Sequence, residues 1–79
     1  MAPKIFADFN NADEKGRVRL NTNGSINDLK NIILRRGLPI LLDDNDDLTC
    51  EAILDFSEEE DMWVAIINWN NIQHYGADR

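Results

Sequence analysis

Seventy-nine residues, 43% hydrophobic and 29% charged with a mean hydropathy of −0.44, read as one soluble domain, residues 1–79, with a thin core. Fifteen acids against eight Lys and Arg give a net charge of −7 and a pI near 4.4, which disfavours nucleic acid as a partner because phosphate binding needs the opposite sign. One cysteine excludes an internal disulfide, one histidine excludes most zinc sites, and there is no apolar run of about 18 residues to span a bilayer.

Met1–Asp8 reaches an acid before any signal-like apolar stretch develops, so the expected compartment is the cytoplasm. Ile5–Phe9 is short and apolar enough for a strand, and the polar stretch Asn10–Gly16 reads as a loop. Arg17–Thr22 alternates cleanly, sending Val18 and Leu20 inward while Arg17 and Arg19 share the solvent face. Asn23-Gly24-Ser25 supports a hairpin turn, and it is also a glycosylation sequon by pattern. No alternating strand follows it, however. Ile26, Leu29, Ile32 and Ile33 recur at helical spacing, which predicts a two-turn helix from about Ser25 to Ile32 with Ser25 as N-cap.

Gly37 and Pro39 end that segment. Leu38–Asp43 reads as a strand, Asp43–Asp47 as a turn, and Thr49–Phe56 as a strand with Cys50, Ala52, Leu54 and Phe56 on one face. After the acidic turn Ser57–Asp61 comes Met62–Ile67, apolar on both faces as a central strand should be. Only one of those faces can line a single core. Trp63, Ala65 and Ile67 share one; Met62, Val64 and Ile66 share the other, which needs cover from the helix, from the turn at Trp69 or from another molecule. The expectation is that the helix covers part of it and that a residual patch around Trp63 or Trp69 meets a partner. Asn68–Ile72 suits one helical turn.

Charge divides along the chain. Residues 1–36 carry seven cations against four acids, a net of +3, whereas residues 37–79 carry only Arg79 against eleven acids, a net of −10. Intramolecular pairing across a sheet is the favoured explanation. The arginines Arg17, Arg19, Arg35 and Arg36 are otherwise a candidate basic face.

Five short strands with polar turns and one short helix suggest a mainly β fold, a five-stranded antiparallel barrel, with a small α+β sandwich as the alternative. The spacing Leu34-x-x-Gly37-x-x-Ile40-x-Leu42, an acidic turn, Trp63-x-Ala65-x-Ile67 and a one-turn helix at Trp69–Ile72 resembles an SH3-like barrel over residues 34–72. Asp8–Asp13, Gly16–Thr22, Trp63-Val64-Ala65 and Trp69 also resemble small uncharacterised bacterial proteins, a likeness that implies no activity. In SH3-like peptide binders a tryptophan and tyrosines line a groove beside acidic loops. Trp63 after Glu58–Asp61 resembles that arrangement, although the closing turn Trp69-Asn70-Asn71-Ile72 lacks the proline and tyrosine of the pattern.

Asp43, Asn45 and Asp47 fit the opening of an EF-hand loop, but Leu48 and Leu54 stand where glycine and the bidentate glutamate belong. Glu58–Asp61 are consecutive and wet, unlike a catalytic carboxylate pair held in two different environments. Cys50 lies on an apolar stripe and His74 near the chain end, too few groups for a nucleophile with its base. The expected function is therefore non-catalytic protein–protein interaction, with an unidentified protein or with a second copy, through Trp63, Trp69, Tyr75 and Phe9 and without a metal or cofactor. The alternative is RNA or ribosome association through the arginine face, as some SH3-like barrels show.

Overall fold

The computed structural model describes residues 2–74. Its centre is the strand that the alternating run predicts, β4 (Leu48–Ser57), paired antiparallel with β3 (Pro39–Asp43) on one side and β5 (Met62–Ile67) on the other. Two acidic turns make these hairpins. At the first, the Asp44 carboxylate accepts hydrogen bonds from the backbone N–H groups of Asp46, Asp47 and Leu48 at 2.9–3.0 Å, an Asx turn that leaves Asn45 at a φ of 61°. At the second, Ser57 Oγ accepts from Glu60 N and Asp61 takes the positive φ.

Three further strands are very short: β1 (Lys4–Phe6), β2 (Val18–Arg19) and β6 (Gln73–His74). The sheet order is β1-β3-β4-β5-β2, with β6 pairing the start of β4 in the lane that β5 leaves free. The sheet curls into a half-barrel and is mixed, not antiparallel throughout. β1 runs parallel to β3, matching Lys4 with Leu41 and Phe6 with Asp43. A parallel pair needs a long crossover, and residues 7–38, which include β2 and the helix, supply it. The expected five-stranded antiparallel barrel is corrected to this six-stranded mixed sheet. A strand of three residues carries no mark of its direction.

The helix α1 spans Asn23–Leu29, two to three residues earlier than predicted, and Thr22 rather than Ser25 is its N-cap. Thr22 Oγ1 accepts from Ser25 N at 3.1 Å, which frees the buried Ser25 hydroxyl to donate to Phe6 O at 2.6 Å. Asp28 then accepts from Phe6 N at 2.8 Å. Both outward backbone groups of Phe6 are thus taken by helix side chains, which closes the β1 edge against pairing with another strand. Gly24 permits this close seat, because a Cβ there would stand 2.8 Å from the Phe6 ring.

The inner face holds the core: Ile5, Ala7, Val18, Leu20, Ile40, Leu42, Cys50, Ala52, Leu54 and Ala65, closed by Phe9 and Leu29. Val18 and Leu20 point inward as their alternation predicts. Phe56 of the same β4 stripe is only partly buried and meets Trp63 edge to face, ring centres 5.2 Å apart.

Candidate interaction surfaces

The outer face of the sheet divides into two halves. The first is roofed by charge. Arg19 and Asp55 flank Val64 in register, and Val64 is fully buried although it stands apart from the inner-face core. Arg17 donates from its backbone N and Nε to the two oxygens of Asp13 at 2.8 and 2.9 Å, and its guanidinium reaches Asp55 at 3.5 Å and Glu59 at 3.6 Å. Arg19 holds Glu60 with two parallel bonds of 2.7 and 2.8 Å. Lys15 meets Glu59 at 2.9 Å, and Arg36 meets Glu58 at 3.0 Å and Asp55 at 3.6 Å. Among the described residues every ion pair except Arg17–Asp13 joins a cation before residue 37 to an acid after it, so the two charge halves fold against each other.

These contacts shape the titration of the carboxyls. Burial works to raise Asp13, but the hydrogen bonds and charge of Arg17 and the Lys15 N–H hold it below its ordinary value. The Arg19 side chain lowers Glu60 and the Lys15 side chain lowers Glu59. Arg17 and Asp13 are the most enclosed of these pairs, whereas Lys15 and Glu59 stand in solvent; stems of such arginines can cover apolar surface beside them, and Val64 is the buried residue next to Arg19.

The second half is apolar and uncovered. Pro39 and Leu41 of β3, Ile53 of β4 and Ile66 of β5 share it, with Ile53 and Ile66 matched in register and 41% and 44% exposed. They floor a groove of about 770 Å³ bordered by Ala2, Glu51, Asn68 and Asn71. A smaller groove of about 300 Å³ lies where α1 passes the start of β5, between Leu20, Ile26, Leu29, Leu34, Met62 and Trp63. In this groove the helix faces Met62 and Trp63. Of that face, Met62 borders the helix in this groove, Val64 is buried between Arg19 and Asp55 in register, and Ile66 is left 44% exposed.

Of the aromatics proposed as a partner site, the three that are described, Phe9, Trp63 and Trp69, are not gathered. Phe9 is 8% exposed and belongs to the core, so it offers nothing to a partner. Trp63 is half-buried at the smaller groove. Trp69 is 43% exposed at the opposite end of β5, where its indole N–H donates to Gly16 O at 2.9 Å, and Tyr75 lies outside the described residues. Of the proposed basic face, Arg17, Arg19 and Arg36 are engaged by acids, while Arg35 is exposed and makes no ion pair among the described residues. The sequence reading placed Ile66 on the face that needs cover but centred the partner patch on the tryptophans, and it missed Ile53. A signal was there: Ile53 sits between Glu51 and Asp55 on the polar side of an alternating strand.

Cys50 is buried, and burial together with the Glu51 charge pushes its thiol up, which keeps it protonated at neutral pH. The carboxylates of Asp44, Asp46 and Asp47 come within 4.8 Å of one another, but Asp44 spends its charge on three backbone N–H groups that lower it against the effect of burial. No helix among the described residues is long and apolar enough to cross a membrane. No family model, curated protein or solved structure matches the chain.

Proposed function

We propose that the protein is a non-catalytic protein–protein interaction module whose docking surface is the uncovered half of the outer sheet face. One observation carries this reading: Ile53 and Ile66, paired in register and each more than two-fifths exposed, lie beside Pro39 and Leu41 in one continuous apolar groove. Such a surface is costly to leave in water, since fully burying one aliphatic side chain is worth about 1.5–3 kcal/mol. The arginine route to RNA has weaker support, because three of its four arginines are occupied by acids. At the level of fold, kinship with SH3-like barrels is part of the proposal. It is supported by the curl of the sheet and by the single 3-10 turn Trp69–Asn71 between β5 and β6, while the parallel β1–β3 pair departs from it.

Site-specific photocrosslinking tests the reading. A photoreactive residue at Ile66 should give discrete protein adducts in cells expressing the protein, while one at Asp61, exposed at the other end of β5, should give none. Equal labelling at both positions would refute it.

A further inference from the structure

Accepting the docking role proposed above, the chemistry of the occupant can be read from where the unspent charge lies. The acidic turn Ser57–Asp61 is largely neutralised, with Glu58, Glu59 and Glu60 all held by cations. The other end of the sheet is different. Glu51 stands exposed at the margin of the apolar groove, opposite Leu41, and makes no ion pair among the described residues. Beyond it lies the turn with Asp43, Asp44, Asp46 and Asp47. Among the described residues Lys4 pairs with Asp43 at 3.6 Å, and Glu51, Asp44, Asp46 and Asp47 make no ion pair. The uncovered apolar surface and these four acids are therefore neighbours.

A second copy is a poor occupant. It would bring a net charge of −7 against −7, and a two-fold pairing would present the same acidic margin to itself. We propose that the groove receives an apolar–basic polypeptide segment of a partner protein. Aliphatic side chains of that segment lie over Pro39, Ile53 and Ile66, and a Lys or Arg beside them meets Glu51 and the field of the Asp43–Asp47 turn. The apolar contact supplies residence time and the charge speeds and orients association.

The test uses the full chain and two synthetic peptides, one alternating Leu with Lys and the other alternating Leu with Glu, titrated by fluorescence anisotropy. The Leu–Lys peptide should bind, and more weakly as salt rises. Glu51→Lys should weaken it about five- to tenfold, whereas Glu14→Lys, the same charge change beside the arginine belt, should alter it less than about twofold. Ile66→Ser should weaken it at least as much as Glu51→Lys, with circular dichroism showing the fold retained. Equal binding of both peptides, or binding insensitive to Glu51→Lys and Ile66→Ser, overturns the inference. Binding of neither peptide, with a concentration-dependent dimer that Ile66→Ser abolishes in sedimentation, overturns it in favour of a second copy and leaves the docking reading standing. Binding of neither, with no dimer and no crosslink at position 66, removes the docking reading as well.

Discussion

Val64 and Ile66 stand two residues apart on one face of β5, both β-branched, both in a central strand, yet Val64 is wholly buried and Ile66 is 44% exposed. The difference lies in what stands above them. Val64 has Arg19 on one flank and Asp55 on the other, with Arg17 reaching across to Asp55, a setting in which long basic stems can shield an apolar side chain. Ile66 has Ile53 beside it and no paired β2 residue on its other side among the described residues. The supply of cations bears on this: no Lys or Arg occurs between Gly37 and Asp78, so among the described residues the arginines lie at β2 and in the segment before β3. An apolar sheet face can be finished by basic side chains, and where they run out it waits for something else.

The largest effect should come from the covered half. Val64→Ala should cost about 2 kcal/mol in urea unfolding, at the low end for deleting buried aliphatic groups, with the denaturant slope unchanged. A loss under about 0.5 kcal/mol would mean that Val64 is not truly roofed and would dissolve the contrast.

Acid should act on the same half. Asp13, Glu59 and Glu60 are held below ordinary values of 3.8, 4.5 and 4.5, so the unfolded chain takes up protons before the folded one does. The stability they contribute is present above those ordinary values and is lost as pH falls through the lowered ones. Thermal melts should show the midpoint falling as pH drops from about 5 to about 3, and Arg19→Met should flatten that dependence by releasing Glu60. A midpoint that holds steady or rises on acidification would contradict the ion-pair geometry.

Much of this was legible in the residues. The alternation of Cys50, Ala52 and Leu54, and of Val18 and Leu20, marks the inner face because a period of two has one structural meaning. The opposite signs of the two chain halves foretold the ion-pair belt. What the sequence withheld were matters of contact. Thr22 and Ser25 are both competent N-caps, and only the approach of Phe6 O assigns the Ser25 hydroxyl elsewhere. The parallel course of β1 depends on a crossover whose direction no local pattern encodes. Phe9 and Trp69 are both large aromatics, yet one fills the core and the other lies at the surface, tied to Gly16. Aromatic type announces buried area, not which side of the sheet will bury it.

If stems rather than charges roof Val64, Arg17→Met and Arg17→Ala should separate. Methionine keeps an apolar stem of similar reach while discarding the guanidinium contacts with Asp13, Asp55 and Glu59; alanine discards both stem and contacts. The melting midpoint at neutral pH should fall in both, lower in Arg17→Ala by about 2–4 °C. Equal midpoints would assign the cover to the ion pairs alone.

The smallest effect on stability should belong to Ile66→Ser, and its smallness matters as much as the size of the first. Ile66 is a strand residue with a cross-strand partner in Ile53, so some burial is lost, but nearly half of its surface is already in water. Serine has lower strand propensity than isoleucine, a penalty whose scale spans about 1 kcal/mol. The two losses together should stay under about 1 kcal/mol in urea unfolding, less than half the Val64→Ala value. Were Ile66→Ser to cost as much as Val64→Ala, the groove would be part of the folding core, and its exposed isoleucines would say nothing about a partner. A small cost joined to loss of the crosslinked adduct at a neighbouring Ile53 probe would separate the two halves of one sheet face by role: the roofed half holds the fold, and the open half is kept for contact.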